Sequence, residues 1–531
     1  MRVVIPPVFT AKADYRPIPE HRGYYDNRTH YRSMLRLTMD SRSHIPPLIL
    51  FIVTAVIYLS FPTRVYYWDG IVFAQAIEDA SRLSVSLVHP NHLIYNFAGY
   101  IFYKLLRAIG ADIRALTALQ ILNSLLSALC ASVFFLILRS TLRSFYLSIC
   151  LAFLFAFSAT WWKFSTDANA YIPSVLFLLI SFYLVLPGKK PRPLLTAFTF
   201  FISMAFHQLA VLMFPVLALG VYLQDVTLKR QALNAVYFTV TAAVLIVAAY
   251  AGLFYLATGG FDLARFIRWT TSYSPDADTT FRLWSNFQYS LRGQIRLFFG
   301  GRINSLRGLV NPAIGVLLLC LVVAILFFIL NLLQNLRPAK LGLATRQKTV
   351  LLLSLAWAGV YLVFLFFWLP QNTFYRLFYL PALIILLGIA LASIRNTRAL
   401  AAFVIAAALA NFLFLIYPSS HVEKYPPLAF ALQVNREWPA GTVIFYMNES
   451  SDVSLVRYFT PQTRWLRMHL KFMDDPNGEM RKVYDEGGAV WFETSAIDAY
   501  QSDQWFEKHT RKETLRELND GAYRIRFVQV Y

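Results

Sequence analysis

Long apolar runs set the limits on what this chain can fold into. Along the first four-fifths of its 531 residues, stretches of about 17 to 25 residues recur that are nearly free of Asp, Glu, Lys and Arg. Each is long enough to cross a hydrocarbon layer of about 30 Å. The clearest lie at 47–62, 114–138, 144–160, 169–187, 193–207, 208–223, 232–257, 310–335, 349–369, 377–394 and 399–417, which predicts a mainly α, polytopic transmembrane bundle of about eleven helices. Composition agrees: 57% of the residues are apolar and 15% charged, where soluble chains carry about 25% charged residues. Cys130, Cys150 and Cys320 all fall inside apolar runs, so neither a disulfide framework nor a Cys-based metal site is indicated.

A formal charge of +20 raises a nucleic-acid reading. The Lys and Arg residues sit mainly in short connections between apolar runs, however, and not on a patch interleaved with aromatics. Positive-inside topology accounts for them, and no nucleic-acid partner is expected. Residues 1–44 are too long and Arg-rich for the n-region of a signal peptide, so the first apolar run reads as an uncleaved helix behind a cytoplasmic tail. The stretch His92–Ile109 decides the parity of every later span. As an interfacial helix it leaves Arg139–Arg143, Pro187–Pro193, Gln224–Gln231, Leu336–Lys348 and Arg395–Arg398 as basic cytoplasmic loops; as a span it would move all five outside. The interfacial assignment divides the chain into the tail 1–44, a transmembrane module 45–417 with outer loops 62–111, 161–169 and 258–309, and an outer segment 418–531. The loop 258–309 carries Arg265, Arg268, Arg282, Arg292, Arg296, Arg302 and Arg307, a density of positive charge that calls for an anionic partner. Beyond 418 the runs Gly441–Tyr446, Gly488–Glu493 and Tyr523–Val530 read as strands of a small extracytoplasmic α/β domain, with no nucleotide loop, zinc spacing or nucleophile elbow.

Candidate chemistry gathers at outer helix ends. Tyr66-Tyr67-Trp68-Asp69-Gly70 places one carboxylate among aromatics just after the first helix. A partly desolvated carboxylate there can serve as a base, or Asp69 can cap a helix starting near Ile71. His89-Pro90-Asn91-His92 offers two imidazoles to a phosphate or a metal, or two polar residues to the membrane boundary. Asp167, Asn169 and Tyr171 follow the Trp161-Trp162 pair, His207 and Gln208 interrupt an apolar pair of helices, and Arg376 stands by the turn Pro370–Tyr375. Taken together, these residues suit a lipid-linked phosphosugar: phosphate leaves readily, so a single carboxylate base plus cations suffices. Single displacement at the anomeric carbon would invert it.

The order of these residues resembles the GT-C superfamily of polyprenyl-phosphate-dependent glycosyltransferases, which includes protein O-mannosyltransferases and lipid A aminoarabinose transferases. The family's acidic residue after the first helix is matched by Asp69. Its His-Pro-Pro-Gly and Asn-Leu-Leu-Ser-Ala runs are similar to His89-Pro90-Asn91-His92 and Asn123-Ser124-Leu125-Leu126-Ser127-Ala128. Its Trp and Glu-Val-Tyr pattern resembles Trp161-Trp162 and Asn169-Ala170-Tyr171, its later His resembles His207, and its Arg-Tyr motif Arg376-Leu377-Phe378. Three departures stand out: Gly70 where a second acid often follows, Asn91-His92 for Pro-Gly, and Asn169 for an acid. The resemblance covers 47–417. It implies Asp69 as base, Arg376 as a lipid-phosphate ligand and His89 and His207 as wall residues, and the outer-face residues themselves add His89, His92, Arg296 and Arg302 as candidate donor-phosphate ligands. Tyr67, Trp68, Asp167, Asn169, Tyr171 and His207 would form the wall. The resemblance fixes no cofactor: some members use a divalent cation, whose ligands this sequence does not display. The implied partners are a polyprenyl-phosphate-linked sugar, a glycan, lipid or protein acceptor, and the lipids of the inner (plasma) membrane. A lipid transporter or a non-catalytic scaffold is the alternative. The former would show matching halves and midplane charges, and no internal repeat is visible.

Overall fold

In the computed structural model the described residues are 45–142, 144–225, 227–271, 282–308, 310–334, 343–392, 397–448, 450–468, 489–493, 496, 516–520 and 523–530. The tail 1–44, Gly488 and parts of four expected cytoplasmic loops (143, 226, 336–342, 395–396) lie outside them. The chain falls into two compact units, residues 1–49 and 50–531. Of the first, the described residues open the helix Ile45–Ser60.

Each apolar run holds a helix. Ala115–Thr141, Leu228–Thr258, Thr345–Trp368 and Arg398–Ser419 are long and apolar enough to span a membrane. Others are shorter, such as Tyr171–Leu184 and Pro193–Phe206 at 14 residues, or about 21 Å of helix. Two interruptions fall at polar residues, Ser158 and His207. The run 144–160 splits into Phe145–Ala156 and Ala159–Ser165, bent by 64°, and the amide of Asn411 donates to the Phe157 carbonyl at the bend, at 2.9 Å. That bond satisfies an acceptor in the break. His207 is extended between Pro193–Phe206 and the 3-10 turn Gln208–Met213, and its Nδ1 accepts from the Leu209 N–H. Beyond Asn411 the backbone widens into a π-turn, Phe412–Ile416.

The large core joins side chains such as Phe134, Phe155, Trp161, Phe182, Trp357 and Tyr361, all buried. Small hydroxyls stitch Tyr171–Leu184 to Pro193–Phe206: Ser174 donates to the Ser203 carbonyl, Ser203 to that of Ser174, and Ser181 meets Thr199 at 2.7 Å. Such bonds satisfy polar groups where no water reaches. The expected interfacial stretch is the 14-residue helix Tyr95–Ala108, packed on Trp68–Asp79 and Ala115–Thr141.

At the C-terminal end β1 (Val443–Tyr446), β2 (Arg464–Arg467), β3 (Val490–Glu493), β4 (Arg516–Asp520) and β5 (Tyr523–Val530) form one sheet in the order β2-β1-β3-β5-β4. β2, β1 and β3 run parallel, and β5 and β4 are antiparallel to their neighbours. Every residue of β1 and β3 is buried, as a strand covered on both faces requires. The helices Pro426–Glu437 and Ser451–Phe459 accompany the sheet, and the second of them packs on Trp68–Asp79.

Candidate active site

Asp69 lies in the first turn of the helix Trp68–Asp79, which starts three residues before the expected Ile71. The N-cap is Tyr67, without a side-chain cap bond, so Asp69 is not the capping residue. Burial pushes its carboxyl up to about 6, and hydrogen bonding from Tyr67 works against that rise. Gly70 explains one departure from the family pattern. A Cβ there would stand 2.6 Å from the Ala168 carbonyl oxygen and 2.9 Å from its Cβ, so a second acid has no room.

The loop against which Gly70 packs is held by polar side chains of Ala115–Thr141. Gln120 donates to the carbonyls of Thr63 and Thr166, Asn123 to those of Asp167 and Asn169, and Ser124 to that of Ser165, at 2.8–3.0 Å. Asp167, fully buried, accepts the N–H groups of Tyr67 and Ala168, each at 2.8 Å. Burial raises its carboxyl to about 7, while Lys163 and those two N–H groups oppose the rise. Asn169 caps Tyr171–Leu184 by accepting from Tyr171 and Ile172, and donates to the Phe164 carbonyl. Asp167 and Asn169 therefore brace the segment that carries Asp69.

Four rings form a partition beside Asp69. Tyr67, Phe164, Tyr171 and Phe374 touch in every pairing, with centroids 5.0–6.0 Å apart, and the hydroxyls of Tyr67 and Tyr171 lie 2.9 Å apart. Trp68 points outward, 46% exposed. Phe164 and Phe374 also line a cavity of about 810 Å³ whose charged residues are Lys163, Arg296, Arg302 and Lys424, all cations. Among the described residues none of the four is in an ion pair. Arg296 is held by the Thr160 hydroxyl, which donates to its carbonyl at 2.9 Å. Arg302 follows Gly301, whose φ of 89° belongs to the left-handed region, and whose Cβ position is already occupied by the Phe414 carbonyl. A second cavity of about 670 Å³, almost wholly apolar, runs along Val53 and Ile57 of the helix Ile45–Ser60 and Phe61 just after it to Trp162 and Phe412. Trp162 is the chain neighbour of Lys163, and Phe412 lies two residues before Phe414; Lys163 and Phe414 both line the cationic cavity.

The imidazoles gather apart from the cations. His89 stacks on His92 at 5.3 Å, His92 meets His207 at 4.7 Å, and His207 meets Tyr171 at 4.9 Å. Burial lowers His89 to about 4 and holds His92 well below its usual range, His207 and His89 adding to the fall for His92. These two rings are neutral near pH 7. His207 accepts at Nδ1, so its proton sits on Nε2, which is buried and finds no partner among the described residues. His207 and Tyr375 line a groove of about 610 Å³, otherwise walled largely by apolar side chains such as Leu212, Phe364 and Phe367. Among the described residues no three His, Cys, Asp or Glu side chains are arranged to hold a metal ion.

Arg376 is placed differently from the other candidate phosphate ligands. It is 1% exposed, donates to the Tyr379 hydroxyl and the Pro370 carbonyl, and lies against Gly293. It lines neither the cationic cavity nor the two apolar ones. Sequence reasoning passed over Lys163, Lys424, Phe164 and Phe374. The one local signal for Lys163 was a cation in an otherwise apolar outer stretch.

The described architecture is a mainly helical one, with four helices long and apolar enough to cross a membrane, and its fold is like that of solved membrane-enzyme structures. One structure it is similar to is the crystal structure of ArnT from Cupriavidus metallidurans bound to undecaprenyl phosphate, at a TM-score of 0.56 and 11% identity, over 91% of this chain and 97% of that one. The likeness is one of fold. ArnT in the apo state (TM-score 0.44, 12% identity, 91% and 97% coverage) and the apo oligosaccharyltransferase of Archaeoglobus fulgidus (0.42, 10%, 84% and 69%) align too loosely to add to it. No protein-family model matches the chain, and no curated protein matches it in sequence.

Proposed function

We propose that this protein transfers a sugar from a polyprenyl-phosphate carrier to an acceptor hydroxyl on the outer face of the membrane. The observation that carries the reading is the cavity whose charged lining residues are Lys163, Arg296, Arg302 and Lys424, next to an apolar groove and sharing its aromatic wall with the Tyr67–Asp69 segment. Cations without a carboxylate partner around a cavity suit a phosphate, and an apolar groove beside them suits an isoprenoid chain. The ArnT structure with undecaprenyl phosphate supports the same class of donor.

In this reading Asp69 takes the proton of the acceptor hydroxyl as its oxygen attacks the anomeric carbon. The bond from that carbon to the phosphate oxygen breaks, and the polyprenyl phosphate leaves with its new charge facing Lys163, Arg296 and Arg302. Attack opposite the leaving group inverts the anomeric centre. A carboxyl raised to about 6 by burial is mostly ionised at pH 7 and more basic than an ordinary Asp. Neutral His89 and His92 wall the site without repelling a sugar. The basic loops set the orientation: N-terminal tail inside, loops 62–111 and 258–309 and the segment from 418 outside.

The test is turnover by the purified full chain in nanodiscs, using polyprenyl-phosphate sugars radiolabelled in the sugar. Release of label to water or to added membrane acceptors by the wild type, and its loss in Asp69→Asn, supports the reading. Carrier binding without turnover for every sugar offered would move it to transport or scaffolding.

A further inference from the structure

The helix that presents Asp69 is gripped at its far end by the C-terminal segment. Glu78, nine residues beyond Asp69 and about 14 Å along the helix, is a meeting point for three separate stretches of chain. Its Oε1 accepts from the Ala115 N–H at 2.8 Å, the Tyr458 hydroxyl at 2.9 Å and Arg114 Nε at 3.2 Å. Its Oε2 accepts from Arg114 Nη2 at 2.5 Å. Arg114 in turn donates Nη1 to the Tyr458 carbonyl at 2.5 Å and lies over the Tyr458 ring, 3.7 Å from its centroid. The Tyr458 hydroxyl also accepts from the Leu116 N–H. At the near end, three residues before Asp69, the Tyr66 ring stacks on Phe459 at 5.7 Å.

Tyr458 and Phe459 both belong to Ser451–Phe459, so one short C-terminal helix touches the chain on both sides of the base. The other ion pair among the described residues, Arg107–Asp112, is exposed, so its weight is small. The Glu78 node is different. It is partly buried, both carboxylate oxygens are used, and Arg114 contacts its partner through two nitrogens, a geometry that fixes orientation as well as distance. A helix transmits a change of tilt along its length, because its own hydrogen bonds resist bending.

We propose that the C-terminal segment is a positioning element of the transferase site: Tyr458, acting through Glu78 and Arg114, fixes the tilt of Trp68–Asp79 and so the placement of Asp69. The inference rests on the reading of Asp69 as the base. Tyr458 is a positioning residue that touches no substrate.

The full chain in nanodiscs tests this with Tyr458→Phe, which keeps the ring over Arg114 and removes the hydroxyl, and with Val443→Ala as a control that loosens the sheet away from the node. Hydrogen exchange read on peptides covering 68–79 is expected to quicken about tenfold in Tyr458→Phe and to stay as in the wild type in Val443→Ala. Turnover number is expected to fall about tenfold with KM for the donor within about twofold, and the loss is expected to vanish when Tyr458→Phe is added to Asp69→Asn. Unchanged exchange in 68–79, or losses that add fully in the double variant, overturn the proposal. A wild type that exchanges as described but never turns over removes the reading of Asp69, while the exchange data still decide whether Tyr458 holds the helix.

Discussion

Replacing Gly70 by Ala places a methyl group where the helix Trp68–Asp79 crosses the 166–168 loop. The new Cβ would lie 2.6 Å from the Ala168 oxygen, and ordinary contact begins at 3.4 Å. Something must give by roughly 0.8 Å, and a close-packed interior offers no free volume for it. The loop is the stiffer side, because Gln120 and Asn123 donate to its carbonyls and Asp167 accepts from Tyr67 and Ala168. The helix therefore shifts, and Asp69 is the residue next to the collision. Overpacking of this kind costs about 1–3 kcal/mol. A reacting group moved by about 1 Å costs on the order of a hundredfold in rate. Gly70→Ala is expected to lose about that much turnover and to unfold at a lower temperature in detergent. Gly359→Ala, where a Cβ meets nothing within 4 Å, is expected to change neither. Wild-type turnover and unfolding in Gly70→Ala would refute the argument that this close approach sets the position of the base.

The remaining expectations concern the base, the cations and the loop clamp. Asp69→Asn is expected to reduce turnover by about a hundredfold or more with carrier binding retained. Because burial raises the Asp69 carboxyl to about 6 and only the ionised form accepts a proton, kcat/KM should rise with pH through about 6 and level off above it; a profile flat from pH 5 to 7 would count against this carboxyl as base. Arg296→Gln and Arg302→Gln should each weaken binding of polyprenyl phosphate about tenfold, since a charged hydrogen bond contributes about 1.5–3 kcal/mol and about 1.4 kcal/mol is a factor of ten. Arg376→Gln should leave that binding unchanged in equilibrium measurements. Asn123→Ala leaves the Asp167 and Asn169 carbonyls without that donor and should destabilise the protein by about 1–3 kcal/mol, seen as earlier thermal unfolding.

Much of the bundle was legible residue by residue. Each apolar run became helical because helix formation and membrane burial depend on local length and hydropathy, and β1, β3 and β5 fell where β-branched and aromatic residues cluster. Strands β2 and β4 escaped, since Arg464-Trp465-Leu466-Arg467 and Arg516–Asp520 are short and polar and pair as edges of the sheet. The continuous span read at 144–160 is broken at Phe157-Ser158, whereas 208–223 holds one helix, Gln208–Tyr222, that opens with a 3-10 turn after His207. There a side chain from elsewhere, Asn411, or the imidazole of His207 takes over backbone hydrogen bonding.

For the site, sequence alone determined the residue types and their gathering at helix ends: a carboxylate in an aromatic run, imidazoles at two breaks, and a loop rich in Arg. It did so because polar groups are costly inside a membrane and collect where spans end. Only the tertiary structure decided which of them meet. It brought Lys163, Arg296, Arg302 and Lys424 together from three stretches of chain, buried Arg376 against Tyr379 and Pro370 outside the lining of that cavity, and bonded Asp167 and Asn169 to neighbouring backbone. It also joined Glu78 to Tyr458, 380 residues away. Contacts at such separations leave no periodicity in the chain; they arise from how whole helices pack, and so they are read from the fold.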